Sequence, residues 1–213
     1  MASTRFGRPI EYDPDLALQR ARDVFWSSGF AASSLDALSE ATGMNRPSLF
    51  GAFGDKEKLY VTTLERYRDE SVAAIRETLS GARHLRVELA NLYAKATDAY
   101  LASGDAARGC LLVGTASVEA PNRPAVRRVL AESLSAFNAV IAERMRKAIA
   151  DGEISTSSNA RALASVVSAV MHSLAVRARA GAKRRELDEL SRAAIDLICG
   201  GEKKRRSAQR RSG

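Results

Sequence analysis

Asn45, Arg46 and Ser48 open the stretch N-R-P-S-L-F-G-A-F (Asn45 to Phe53), and their chemistry suits the edges of nucleic-acid bases. Arginine pairs bidentately with guanine and asparagine with adenine, while a serine hydroxyl bonds either a base or a phosphate. Pro47 and Ala52 on the same stretch offer the apolar contact that reads a thymine methyl. Ser33, Ser34 and Lys56 suit a different task, gripping the phosphate backbone without reading sequence. Lys56 in particular falls where a helix is expected to start, so free backbone amides and the ammonium converge on one anion.

Side chains of this kind need a rigid element that carries them into a groove, and the spacing around them supplies one. Ser33 or Ser34 caps a first helix, along which Leu35, Leu38 and Ala41 recur every three residues. Gly43 follows where that helix stops, suiting a left-handed C-terminal position. Asn45 caps a second helix, and Pro47 fits its first turn, where a missing N–H costs nothing. Leu49 and Phe53, four residues apart, turn one side inward and leave Asn45, Arg46, Ser48 and Gly51 outward. The layout is a helix-turn-helix whose second helix enters the DNA major groove.

The flanks sharpen the reading. A-R-D-V-F-W-S-S-G-F (Ala21 to Phe30) precedes the motif and F-G-D-K-E-K-L-Y (Phe53 to Tyr60) follows it. A helix ending F-x-x-x-G-[FY], a helix-turn-helix, then F-x-x-K-E-x-L-[YF], resembles the DNA-binding domain of the TetR family of transcriptional regulators. The resemblance implies a homodimer on double-stranded DNA, a near-palindromic operator and release by a small-molecule effector. It favours repression, although the sequence itself leaves the sign of regulation open. It also implies that Arg5 and Arg8, in the basic arm R-F-G-R-P (Arg5 to Pro9), reach the minor groove, whose negative potential attracts guanidinium; an untethered terminus is the other reading. Members of that family commonly carry Tyr and two bulky residues where this chain has Phe50, Gly51 and Ala52. A phenolic contact to phosphate is therefore not transferred.

The remainder reads as an all-α body. Five prolines in 213 residues and no alternating apolar stretch argue against strands. Of the net charge of +8, residues 202–213 hold +5, so most of the basicity is a tail and not a DNA-binding face. Four segments follow: a basic arm (1–12), the helix-turn-helix domain (13–54), a helical effector-binding and dimerisation domain (55–201) and a disordered basic tail (202–213). Asp13 and Pro14 start helix 1 and Gly29 ends it; Asp55 caps a long helix to about Leu79. Ala162 to Val176 is uncharged for fifteen residues, short of the about 20 a membrane span needs. Apolar almost all round, it must be covered on more than one side, which a second copy of the chain would do.

Tyr93, Thr97, Tyr100, Phe137, Met145 and His172 are polar or aromatic groups set in apolar helix faces, and they are the expected effector-pocket residues; plain core is their other reading. Two histidines, no nucleophile elbow and no phosphate-cradling glycine loop argue against an enzyme. No His, Cys or carboxylate set has metal-ligand spacing, so neither metal nor cofactor is expected. Cys110 and Cys199 stand far apart in sequence, and a redox pair is the alternative kept for them. No apolar signal core opens the chain, which places it in the cytoplasm, associated with the nucleoid. The rival function is an architectural or nucleoid-associated DNA binder without an effector, to which the basic tail lends support. Deleting residues 202–213 separates the two. A regulator is expected to keep its operator selectivity and lose mainly non-specific, salt-sensitive affinity, as read by fluorescence anisotropy at several salt concentrations; loss of selectivity would favour the rival.

Overall fold

A computed structural model describes residues 13–102 and 107–200 of the chain. The described residues are helical, without a strand, and form two compact units that part between Thr63 and Leu64, within a helix. The sequence put its boundary at 54/55, where the cap of that helix lies. Among the described residues no helix is long and apolar enough to cross a membrane.

The first unit holds α1 (Pro14–Ala32), α2 (Leu35–Thr42), α3 (Arg46–Phe53) and the start of α4 (Lys56–Thr78). Asp13 caps α1 by accepting the Asp15 and Leu16 amides at 2.9 and 3.3 Å. Gly29 breaks the α1 backbone as expected, at φ 74° and ψ 173°, but one further helical turn runs on to Ala32. Of the two candidate caps for α2, Ser34 is the one used, its Oγ accepting the Ala37 amide at 3.0 Å. Gly43 takes the left-handed conformation, φ 70° and ψ 15°, that joins α2 to α3. The inner face of α2 is narrower than its spacing suggested: Leu38 is buried, whereas Leu35 and Ala41 are half-buried. Phe25, Phe30 and Tyr60 form the centre of this unit, with Tyr60 ring-to-ring distances of 4.8 Å to Phe25 and 5.1 Å to Phe30. Burying side chains of this size stabilises by about 1.5–3 kcal/mol each.

In the second unit α4 continues, followed by α5 (Leu85–Leu101), a π-helical turn (Leu112–Ala116), α6 (Ser117–Glu119), α7 (Pro124–Ala150), α8 (Ala160–Arg179) and α9 (Arg184–Cys199). α8 packs against α5, α7 and α9. Its start is capped by Asn159, whose Oδ1 accepts the Arg161 and Ala162 amides at 3.0 and 3.1 Å. Ala164, Val167, Leu174, Ala175 and Ala178 face that packing, while Ala162, Val166, Ala169 and Val176 are exposed on the single chain. One side of the uncharged helix is thus left for a further surface.

A buried charge cluster closes the loop between α4 and α5, and no spacing in the sequence announced it. Arg144 on α7 donates to Glu88 on α5, to Glu153 at 2.9 Å and to the Arg83 carbonyl at 3.1 Å. Glu88 in turn accepts the Gly81 and Arg83 amides at 2.9 and 3.2 Å, and Glu153 accepts the Leu85 amide. Arg144 and Glu88 side chains are only 1% and 2% exposed, so removing one partner strands the other without solvent. Arg144→Met is expected to lower unfolding free energy by about 3–5 kcal/mol in urea titrations. A loss under about 1 kcal/mol would show that the cluster is energetically neutral.

Candidate DNA-binding face and effector cavity

The outward side of α3 is presented as its spacing implies. Asn45, Arg46, Pro47, Phe50, Gly51 and Ala52 are exposed, and Ser48 is half-buried. Asn45 Oδ1 accepts the Ser48 amide at 2.9 Å as the α3 cap, so a bidentate contact to adenine asks this one carbonyl to serve both cap and base. Arg46 is braced from α2: its Nε and Nη2 lie 3.1 and 2.6 Å from Asp36 Oδ1. Asp36 was not foreseen, because a carboxylate ten residues upstream has no local spacing signal. Side-chain exposures of 53% and 80% make this pair worth about 1 kcal/mol or less, so it orients the guanidinium yet yields to a base.

The residues expected to grip the phosphate backbone divide. Ser34 is exposed beside its cap bond, whereas Ser33 is 2% exposed and donates its hydroxyl to the Gly29 carbonyl at the end of α1. Ser33 is therefore a local structural bond and not a phosphate contact, a correction to the sequence reading; its hydroxyl closes the turn that Gly29 opens. Lys56 opens α4 with its Nζ 4.6 Å from the Phe30 ring centroid, which holds the ammonium at the helix N-terminus. Trp26 is half-buried with the Arg22 guanidinium 5.9 Å from its ring, in keeping with packing. Arg5 and Arg8 lie outside the described residues.

Within the second unit, α4, α5, α7 and α8 line a half-open cavity of about 140 Å³. Of the six expected effector-pocket residues, Tyr100, Phe137 and His172 line it. Tyr93, Thr97 and Met145 are not in its wall: all three are buried in packing, and the Tyr93 hydroxyl donates to the Val167 carbonyl on α8 at 3.5 Å. Helical spacing shows which residues turn inward but not which inward face meets a void. The sequence missed Tyr67, Ser71 and Thr78, supplied by α4, together with Lys95 and Cys110. Cys110 is set by Gly109, where a Cβ would stand 2.6 Å from the Ala175 carbonyl oxygen; only glycine permits that approach. Tyr67 donates its hydroxyl to Cys110 Sγ at 3.5 Å. Burial pushes the Tyr67 and Tyr100 phenols well above their usual range, with the Cys110 thiol adding to both, and burial likewise raises Cys110. Burial lowers His172, which is neutral at physiological pH. Among the described residues no group of His, Cys, Asp or Glu could hold a metal ion.

An exposed, capped recognition helix in one helical unit and a cavity in a second define a helix-turn-helix transcriptional regulator with a ligand-sized hollow. The family models agree, and the chain belongs to the TetR family of bacterial regulatory proteins: residues 17–62 match its DNA-binding domain, and residues 88–194 match the tetracyclin repressor-like C-terminal domain. The HTH-type transcriptional repressor ComR of Escherichia coli K12 is 28% identical over 193 residues, 90% of this chain and 91% of that protein. BdcR, an HTH-type transcriptional repressor of the same organism, is 30% identical over 50% of this chain and 54% of its own length. Among solved structures, a cysteine mutant of the TetR family regulator CifR complexed with a 26-base-pair operator superimposes with a TM-score of 0.81 at 35% identity, covering 90% of this chain and 100% of that one. The reduced form of Escherichia coli NemR, 19% identical, shares the fold with a TM-score of 0.77 over 86% of this chain and 95% of its own.

Arg46→Ala is expected to cost about 1–3 kcal/mol of operator binding and to relax selectivity at one base position, whereas Lys56→Ala weakens all sequences alike and lowers the salt slope by about one. Binding-site selection with each variant checks this, and identical behaviour of the two across sequences would refute the division of roles.

Proposed function

We propose that the chain is a homodimeric repressor that holds a near-palindromic operator through α3 and its flanks and releases it when a small molecule occupies the cavity of the second unit. It acts in the cytoplasm, on the nucleoid. The observation that carries this reading is the composition of α4. Its first residues, Lys56 to Thr63, belong to the DNA-reading unit, with Tyr60 buried there against Phe25 and Phe30. Its later residues Tyr67, Ser71 and Thr78 belong to the cavity wall. A ligand that prefers one setting of this wall acts on a helix rooted in the DNA-reading unit, and it shifts operator binding by its differential affinity for the two settings. The operator complex of CifR and the repressor activity named for ComR support both the DNA target and the sign of regulation.

In this reading residues 13–54 read DNA with Asn45, Arg46, Pro47, Ser48 and Ala52, residues 55–201 bind the effector and a second copy, and residues 202–213 add general affinity. The exposed side of α8, with Ala162, Val166, Ala169 and Val176, forms the seam together with α9, whose Leu197 is 87% exposed. Small residues and valines there let two helices approach closely, and a two-fold pair then meets half-sites spaced by whole helical turns of about 34 Å. Analytical ultracentrifugation is expected to show a dimer at micromolar concentration. Val166→Glu should give a folded monomer whose operator affinity falls by about 100-fold, because the two half-sites no longer act as one. A monomeric variant with undiminished affinity would sink the paired-head reading.

A further inference from the structure

The cavity carries a charged side chain at one end only, and that asymmetry selects a chemical class of ligand. α4 and α5 run in opposite senses along it: Thr78 meets Lys95 at one end, where Lys95 Nζ donates to Thr78 Oγ1 at 3.1 Å, and Tyr67 lies toward Tyr100 at the other. The ends are eleven residues apart on α4, about 16 Å at 1.5 Å per residue. The rest of the wall is largely apolar, with Ile75, Leu92, Phe137 and Met171 beside the hydroxyls of Ser71 and Ser168.

Lys95 is the one formally charged residue in the described wall, which contains no carboxylate and no arginine. The far end offers only neutral groups, since the phenols and the Cys110 thiol are held protonated by burial and the Tyr67 proton is already donated to Cys110. His172 is neutral for the same reason. Two carboxylates, Glu77 and Glu88, share a neighbouring cleft with Lys95. Glu88 is taken by Arg144 and by the Gly81 and Arg83 amides, and Lys95 forms no ion pair among the described residues. Lys95 is exposed where the cavity adjoins that cleft, its ammonium bonded to Thr78 Oγ1 and paired with no carboxylate among the described residues. The volume of about 140 Å³ is close to that of the engineered cavity of about 150 Å³ that admits benzene.

Resting on the effector reading above, the geometry points to a small monoanionic acid as the occupant. Its aromatic ring or short hydrocarbon lies along the apolar slot and its carboxylate accepts from Lys95 Nζ and Thr78 Oγ1. Lys95 sets the preference for the anion over a neutral molecule of the same shape, because both accept its hydrogen bond but only the carboxylate adds the attraction of opposite charges.

Phenylacetate and its neutral isostere phenylacetamide, titrated calorimetrically into the full-length protein, test this. Phenylacetate is expected to bind about twofold to fivefold more tightly than the amide, the range for an exposed ion pair. Lys95→Met should abolish that preference while retaining binding of phenylacetamide, and Lys95→Arg should keep it. Equal affinities in the wild-type protein, a preference that survives Lys95→Met, or no binding of either compound overturns the inference. Operator affinity, followed by anisotropy in the same titrations, tests the reading beneath it. An amide that releases DNA without any acid preference sinks only the anion selectivity. An acid bound through Lys95 that leaves operator affinity unchanged upholds the selectivity and sinks the effector role.

Discussion

The burial of Tyr60 between Phe25 and Phe30 is the contact on which the rest of the structure depends. It seats the first turns of α4 on α1, and with them Lys56, whose ammonium lies over Phe30. Three aromatic rings at these distances bury a large apolar area and prefer tilted geometries, so the position of α4 against α1 is set by shape as well as by area. The same helix continues into the second unit, where it supplies the Tyr67 hydroxyl and the Thr78 side chain.

Two kinds of interaction then hold the second unit in register. The Arg144, Glu88 and Glu153 cluster joins α5 and α7 to the loop after α4 with directional, charge-assisted bonds that leave little freedom for that loop. Such a buried cluster is weak evidence for added stability, since desolvation offsets much of its attraction; its use is to make one arrangement of the loop far better than its neighbours. α8 works in the other way, through small side chains that let it pack against α5, α7 and α9 at once. The cavity lies where these packings leave space, bounded by side chains from four helices.

Local signals were legible wherever a few neighbouring residues decide the outcome. Asp13, Ser34, Gly43, Asn45 and Asn159 all act as caps or turn residues at the positions their types implied. The exposed face of α3 followed from Leu49 being needed inside. Ser33 shows the limit of the same logic: with two adjacent serines, only the path of α1 after Gly29 decided which hydroxyl would be buried. Tyr93 and Tyr100 show a second limit. Both are buried on α5, two turns apart, yet one meets the backbone of α8 and the other a void.

The sequence by itself determined the helical class, the order of elements and the presence of a recognition helix with Asn45 and Arg46 outward, because caps, glycines and 3.6-residue spacing act over a single turn. Tertiary structure alone decided that Arg46 is braced by Asp36, that Arg144 is neutralised by Glu88 and Glu153, and that Lys95 stands at the end of an apolar slot. Each of these joins residues nine or more positions apart. Charge and shape complementarity at such distances depends on how helices pack, and no local pattern encodes it.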